Sequence, residues 1–112
     1  LVELYMQLPG IFGGSKSKSL RYAQELENLS KVDGYLAKGY VYEYDNELQL
    51  AEKYYKLAIK EGGSLICYDK LTRFYISQNQ PEKAISNLNA AYKKHQDKDL
   101  LQQIQALEEK QL

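Results

Sequence analysis

Apolar side chains recur along this chain three and four residues apart, which is the spacing of one face of a helix. Polar turn residues separate the apolar stretches, and the first stretch lacks the strict alternation of a half-buried strand. The pattern predicts seven helices, at residues 1–8, 16–29, about 31–44, about 47–60, about 65–77, from 81 to near 93–95, and 98–110. The chain is therefore predicted to be all-α.

Several predicted helix ends carry residues that start or stop helices. Ser30 and Ser64 precede the third and fifth helices, where a serine side chain can accept a hydrogen bond from a free backbone N–H. Pro81 stands at the first position of the sixth helix, where its missing N–H costs nothing. Gly62 and Gly63 follow the fourth helix, and glycine tolerates the left-handed conformation that ends many helices.

The middle of the chain repeats itself at a constant distance of 33 residues. Five pairs of positions show the offset: Tyr35 and Tyr68, Tyr42 and Tyr75, Ala51 and Ala84, Tyr55 and Leu88, and Ala58 and Ala91. The small residues Gly39, Ala51, Thr72 and Ala84 stand where two antiparallel helices would have to approach closely. A helical pair that is used twice in tandem is typical of an α-solenoid.

This pattern resembles the tetratricopeptide repeat, in which W-x-x-L-G-x-x-Y is followed by A-x-x-x-F. The second copy matches through Tyr68, Leu71, Thr72, Tyr75, Ala84 and Leu88. The first copy matches through Tyr35, Gly39, Tyr42, Ala51 and Tyr55, and Lys38 departs from the leucine. The resemblance covers about residues 32–97. It implies a right-handed α-α superhelix of about three helical hairpins plus a C-terminal capping helix.

We expect a single helical-repeat domain over residues 1–112. Its predicted parts are a divergent repeat at 1–30, repeats at 31–63 and 64–97, and a capping helix at 98–112. In the divergent repeat, Ser19 and Ala23 stand 32 residues before Ala51 and Tyr55. The chain starts at Leu1 without a methionine, and we expect it to be a fragment of a longer protein. The sequence does not indicate a compartment.

In the family that the pattern resembles, the first helix of each repeat lines a concave groove that takes an extended peptide or a partner helix. Carried over by position, that role predicts these partner-binding residues: Leu36, Tyr40, Tyr44, Asp69, Lys70, Arg73 and Ser77. Tyr40 and Tyr44 share one helical face, and tyrosine and arginine are enriched at interaction hot spots. The alternative interpretation is that Tyr40 and Tyr44 pack against the first hairpin.

Chaperone-binding members of that family hold a C-terminal carboxylate with a clamp of lysine and asparagine side chains. Leu36 and Tyr40 occupy two of the clamp positions here, and Asp69 would repel a carboxylate. The resemblance therefore disfavours a chaperone co-factor role. We predict that replacing Tyr40, Tyr44 or Arg73 by alanine weakens binding to a partner.

Composition and charge narrow the remaining classes of function. The chain carries 15 basic and 15 acidic residues, and this balance argues against nucleic acid as the main partner. No apolar run approaches the length of a membrane span. His95 and Cys67 are the only histidine and cysteine, and both are predicted to be structural. No catalytic residue, metal site or cofactor is predicted, because one histidine and one cysteine supply too few ligands or nucleophiles.

The stretch from Gly10 to Ser17 approaches the pattern of a phosphate-binding loop. Ser15 separates Gly14 from Lys16, however, whereas the phosphate-loop motif needs Gly-Lys-Ser/Thr without a gap. An ordinary loop between helices is predicted here.

Together these patterns predict a non-catalytic protein–protein interaction module, an adaptor or assembly factor that binds a peptide or partner helix. Two alternatives remain open at this point. The chain could self-associate as a homo-oligomer, or it could form a structural segment of a longer solenoid. It could also be an accessory domain of a larger enzyme.

Overall fold

The computed structural model describes residues 15–110, and every regular element in that range is an α-helix. The six helices are α1 (Ser15–Leu29), α2 (Lys31–Tyr44), α3 (Leu48–Glu61), α4 (Leu65–Ser77), α5 (Pro81–His95) and α6 (Lys98–Lys110). Residues 15–110 contain no strand, so the predicted all-α class is confirmed. The helix predicted at residues 1–8 lies outside the described residues.

Three of these helices begin at signals that the sequence contains. The Ser30 hydroxyl accepts a hydrogen bond from the Asp33 N–H at 3.4 Å, and the Ser64 hydroxyl accepts one from the Cys67 N–H at 3.4 Å. Pro81 is the first residue of α5, as predicted. The observed bounds of the six helices agree closely with the predicted ones.

The chain forms two compact units, one that ends at Gly62 and one that begins at Gly63. In the first unit α1 packs against α2, and α2 packs against α3. In the second unit α4 packs against α5, and α5 packs against α6. Each unit therefore contains one hairpin of the tandem pattern, α2–α3 or α4–α5, together with one further helix. The right-handed superhelix and the division into repeats stay predictions.

The turns inside the two hairpins have the same backbone conformation. Asn46 in the first turn and Asn79 in the second have positive φ angles of 63° and 57°. Asparagine is one of the few residues besides glycine that adopt this left-handed region readily. Matching backbone hydrogen bonds close the turns, from Glu47 N–H to the Tyr42 carbonyl at 2.8 Å and from Gln80 N–H to the Tyr75 carbonyl at 2.9 Å. The two hairpins that share the sequence pattern therefore also share the backbone geometry of their turns.

The second helix of each hairpin is also followed by a left-handed residue. Gly63 has a φ of 69°, and Gln96, which lies 33 residues later, has a φ of 55°. Glycine adopts this conformation without the steric cost that a Cβ atom imposes on glutamine. At Gln96 the backbone N–H donates to the Tyr92 carbonyl at 2.7 Å, which caps α5.

Buried side chains occupy equivalent positions in the two hairpins. The fully buried alanines are Ala51, Ala58, Ala84 and Ala91, and the large buried counterparts are Tyr55 and Leu88. Gly39 and Thr72 are buried on the opposite helices, as expected where two helices approach closely. Leu100, Ile104 and Leu107 form the buried face of α6, whose other positions are mostly exposed.

The approach of α1 to α2 is closer than the sequence indicated. A Cβ atom added at Gly34 would overlap the backbone and Cβ of Glu27. Because a backbone atom has no rotamer to move into, only glycine fits at this crossing. Ser19 and Ala23 of α1, which the sequence pattern aligned with Ala51 and Tyr55, are fully buried inside the first unit.

Candidate functional site

The predicted partner-binding residues of the first unit lie on α2, one helical turn apart. Leu36 and Tyr40 are half-buried, whereas Tyr44 is 50% exposed. The centroids of the Tyr40 and Tyr44 rings are 6.4 Å apart. Tyr40 also packs against the buried Val41, beside side chains of α1. Tyr40 therefore contributes to packing within its unit, and Tyr44 presents the larger surface to solvent.

The predicted residues of the second unit lie on α4. Arg73 Nε donates to Asp69 Oδ2 at 2.9 Å, and both side chains are substantially exposed. Lys70 is exposed, and the Ser77 hydroxyl donates to the Phe74 carbonyl at 2.7 Å. The two sets of residues belong to different units, and a single groove that joins them stays a prediction.

A pocket of about 250 Å³ opens on the second unit, between the first turns of α4 and α6. Its apolar lining comes from all three helices: Leu65, Ile66, Leu88 and Leu100. Its polar lining consists of Tyr68, Asp69, Asp97, Asp99 and Gln103. Of the predicted partner-binding residues, only Asp69 lines this pocket. We call these nine residues the α4–α6 pocket.

The floor and the rim of the α4–α6 pocket differ in character. Leu88 and Leu100 are buried, with 1% and 7% of their surface exposed, so they form an apolar floor. Ile66 is 63% exposed at the edge, which is high for an isoleucine. An apolar floor with a polar rim is the arrangement found where proteins bind other molecules.

Capping interactions set the shape of this pocket. Asp97 precedes α6, and its Oδ1 accepts a hydrogen bond from the Asp99 N–H at 2.9 Å. Near the start of α4, the carbonyl of Gly63 accepts a hydrogen bond from Nε2 of His95 at 2.7 Å. His95 also meets the edge of the Tyr68 ring, with 6.0 Å between the ring centroids. These contacts hold the helix starts that border the pocket.

Position 54 and its counterpart at position 87 bind their hairpins together in different ways. Tyr54 stacks on Tyr42, with centroids 5.6 Å apart and planes inclined by 15°, and it lies 6.1 Å from Tyr35. Asn87 Nδ2 donates to the Tyr68 carbonyl and to Thr72 Oγ1, both at 2.9 Å. The comparison of the two sequence copies did not identify Tyr54 and Asn87, because an aromatic ring and an amide are chemically unlike.

A cation lies over the tyrosine stack of the first unit. Lys38 Nζ is 5.4 Å from the centroid of the Tyr54 ring, within the range of a cation–π interaction. The same ammonium contacts Glu27 Oε2 at 2.6 Å and Gln24 Oε1 at 2.8 Å. Lys38 is the residue that departs from the leucine of the repeat pattern, and these polar and aromatic contacts accommodate the departure.

A shallow depression of about 440 Å³ runs along α3. We call three of its lining residues, Lys53, Lys56 and Lys60, the α3 lysine face. Because all the lining residues belong to one helix, this feature is a helix surface and not an enclosed cavity. Lys56 is also paired with Glu52, one turn earlier on the helix, at 3.4 Å.

The residues that could suggest catalysis have structural partners. Cys67 is fully buried, and its sulfur accepts a hydrogen bond from the Ser64 hydroxyl at 3.4 Å. His95 bonds to the Gly63 carbonyl, as stated above. Residues 15–110 contain no group of three or more His, Cys, Asp or Glu side chains that could hold a metal ion. No helix in the same range is long and apolar enough to cross a membrane.

Lys16, the lysine of the loop that approaches a phosphate-binding motif, contacts two carboxylates. Its Nζ donates to Asp45 Oδ2 at 2.7 Å and to Glu47 Oε2 at 2.9 Å. The hydrogen bond to Asp45, followed by the one to Glu47, raises the pKa of Lys16 above its usual value. These carboxylates occupy the ammonium that a phosphate would need, which agrees with the prediction that this stretch is not a phosphate-binding loop. Lys16 itself lies in the first turn of α1. Gly10, Gly13 and Gly14 lie outside the described residues.

Comparisons with known proteins identify no relative. No protein-family model matches the chain, and neither a curated protein nor a solved structure matches it.

Proposed function

We propose that this chain is a non-catalytic protein-recognition module that binds a segment of a partner protein at the α4–α6 pocket. The resemblance to the tetratricopeptide repeat supports this proposal, because the first helix of each repeat is the binding helix in that family. Here α4 is the first helix of the second hairpin, and it contributes Leu65, Ile66, Tyr68 and Asp69 to the pocket lining.

The observation that carries the proposal is the exposure of apolar side chains beside a buried apolar floor. Leu65 and Ile66 are 37% and 63% exposed, and they stand next to Leu88 and Leu100. Covering an exposed isoleucine completely is worth about 1.5–3 kcal/mol. Binding of a partner side chain in this pocket would therefore be stabilised by burial of apolar surface at both the floor and the rim.

The size of the pocket favours a protein segment over a small molecule. Sites for small molecules and cofactors are usually about 300–1,000 Å³ and enclose most of the ligand. At about 250 Å³ the α4–α6 pocket is smaller, and its rim is exposed to solvent. It suits one or two side chains of a larger partner, whose other residues would lie on the surface of α4 and α6.

Selection from a phage-displayed library of random peptides, with the full chain as bait, tests the proposal. The expected result is a set of related peptides that bind more weakly when Ile66 is replaced by serine. The reason is that Ile66→Ser removes an apolar edge that is 63% exposed to solvent. We expect the affinity to fall about tenfold, as for the loss of about 1.4 kcal/mol of apolar contact.

The matched control is Leu101→Ser, which removes an apolar side chain of similar size that is 44% exposed on α6 and outside the pocket lining. Leu101→Ser is expected to leave the affinity for the selected peptides unchanged. Failure to select any peptide, or equal binding by the Ile66→Ser variant, would contradict the proposal.

Self-association is the second candidate function, and the exposed residues Ile76 and Leu101 favour it. They are 47% and 44% exposed, and a second copy of the chain could cover them. Sedimentation at several protein concentrations tests this candidate. A mass that rises with concentration, and that returns to the monomer value in the Leu101→Ser variant, would support it. A monomer at every concentration would remove it.

A further inference from the structure

We propose that His95, which lies outside the lining of the α4–α6 pocket, is a positioning residue that holds the first turn of α4 in the conformation that binds the partner segment. This inference rests on the proposed function and concerns the control of the same site. Leu65 and Ile66, the exposed apolar residues of the pocket, belong to that first turn. His95 would therefore control the affinity for a partner that it does not contact.

The hydrogen bond between His95 and Gly63 is the first argument. A carbonyl oxygen can only accept, so the contact of 2.7 Å between His95 Nε2 and the Gly63 carbonyl requires the ring hydrogen on Nε2. Gly63 is buried and has a φ of 69°. Ser64, the next residue, caps α4. The bond therefore holds the backbone immediately before the helix that carries the pocket edge.

The His95 ring contacts α4 a second time. Its edge meets the ring of Tyr68, with centroids 6.0 Å apart and planes inclined by 82°. The carbonyl of Tyr68 in turn accepts a hydrogen bond from Asn87 Nδ2 at 2.9 Å. Contacts from α5 thus hold Gly63 and Tyr68, which flank the two exposed apolar residues of the pocket in the chain.

The connection from α5 to α6 constrains the position of His95. Gln96 follows with a φ of 55°, a conformation that is unfavourable for glutamine and persists only where the surrounding structure maintains it. Asp97 lines the pocket and accepts a hydrogen bond from the Asp99 N–H at the start of α6. Three consecutive residues therefore connect the two borders of the pocket, α4 through His95 and α6 through Asp97.

Two substitutions of His95 separate the hydrogen bond from the bulk of the side chain. Leucine fills a similar volume beside Tyr68 and has no donor, whereas a glutamine amide can donate to the Gly63 carbonyl. We expect His95→Leu to bind the selected peptides about two- to fivefold more weakly, because at most the contribution of one neutral hydrogen bond is lost. His95→Gln is expected to restore the parent affinity. Lys94→Leu is the matched control, because Lys94 is exposed in the same turn of α5 and makes neither contact.

Cys67 provides a readout that needs no peptide. It is the only cysteine of the chain, it is fully buried in the first turn of α4, and its N–H donates to Ser64 Oγ. Iodoacetamide can reach its sulfur only when this part of the unit opens. We expect alkylation of Cys67 to be up to about fivefold faster in His95→Leu, and to keep the parent rate in His95→Gln and Lys94→Leu. The acceleration should depend only weakly on urea, because opening one turn exposes little surface.

The outcomes for this inference and for the proposed function are distinct. Peptides that depend on Ile66 but bind the parent chain and His95→Leu equally would leave the proposed function standing and overturn the positioning role. Unchanged alkylation of Cys67 in His95→Leu, or an acceleration that depends on urea as strongly as global unfolding does, would also overturn it. If no peptide is selected, the proposed function falls, and this inference falls with it.

Discussion

Gly39 of α2 lies against the ring of Tyr55 of α3, and a Cβ atom at Gly39 would stand 2.6 Å from Cε1 of that ring. This distance is shorter than a van der Waals contact, so an alanine would fit only if the ring moved. Tyr55 is 2% exposed, and its hydroxyl donates to Glu43 Oε1 at 2.8 Å. The ring therefore has little room to move, and the first hairpin depends on the missing side chain at Gly39.

Gly39→Ala is expected to lower the free energy of unfolding by about 1–3 kcal/mol, the usual cost of overpacking. At an exposed helical site the same change would add about 1 kcal/mol, because alanine favours the helix. Urea denaturation of the variant and the parent chain measures the difference and its sign.

The second hairpin supplies a compensating change for this experiment. Leu88 stands where Tyr55 stands in the first hairpin, and Thr72, which stands where Gly39 stands, has the Cβ atom that Gly39 lacks. Combining Tyr55→Leu with Gly39→Ala should therefore cost less than the sum of the two single changes. Strict additivity, or a Gly39→Ala variant that is more stable than the parent, would refute the close contact.

Ser19→Ala is expected to raise the free energy of unfolding by about 1–2 kcal/mol. Ser19 is fully buried, and its hydroxyl has no hydrogen-bond partner among residues 15–110. Ala51 and Ala84, the later small residues of the same pattern, are equally buried without a hydroxyl. Thermal and urea unfolding of the variant measure the gain.

Ser17→Ala is the control for Ser19→Ala, because Ser17 is an exposed serine on the same helix. The Ser17→Ala variant measures only the gain in free energy of unfolding that comes from the higher helix propensity of alanine, which is about a few tenths of a kcal/mol. A Ser19→Ala variant that gains no more than Ser17→Ala would show that the buried hydroxyl has a partner.

Asn87→Ala is expected to destabilise the second unit by about 1–3 kcal/mol. The change removes two hydrogen bonds that Asn87 of α5 donates to α4, and it leaves the hydroxyl of Thr72, which is 2% exposed, without this donor. Asn89→Ala is the control on the same helix, because Asn89 is exposed and gives the same gain in helix propensity. Equal stability of the two variants in urea would mean that the Asn87 bonds contribute nothing.

Helix positions were predictable from the sequence because their determinants are local. Ser30, Ser64 and Pro81 act within one turn of their own position, and the structure confirms all three. The 33-residue offset likewise predicted equivalent burial of Ala51 and Ala84 in the two hairpins. Each of these features needs only neighbouring residues or a repeated pattern, so one sequence contains the required information.

Contacts between helices were not predictable in the same way. Gly34 lies against the backbone of Glu27, and the residues around Gly34 do not indicate that α1 and α2 approach so closely there. Asp97 ends the predicted repeat at 64–97 and Asp99 belongs to the predicted capping helix, yet both border the same pocket as Asp69 of α4. Such a site depends on which helix ends meet in space, and the helical period along each segment does not specify this.

For the predicted partner-binding residues, the position on a helix was predictable from the sequence, but the contacts of each side chain were not. Positions carried over from the repeat pattern placed Asp69 on α4, and the structure shows it at the pocket. The same procedure gave no indication that Arg73 would pair with Asp69, and it left open whether Tyr40 packs within its unit or binds a partner. Position in the repeat specifies the helix and the turn, whereas the partner of each side chain depends on its surroundings.

An NMR titration of amide shifts in the full chain, with the tightest selected peptide, tests the central claim most directly. If a partner segment binds at the α4–α6 pocket, the largest shift changes will fall at Ile66, Asp69, Asp99 and Leu100. The Ile66→Ser variant, measured under the same conditions, should lose these changes while its other amide shifts stay in place. Changes centred on the α3 lysine face, or spread evenly over the chain, would contradict the account.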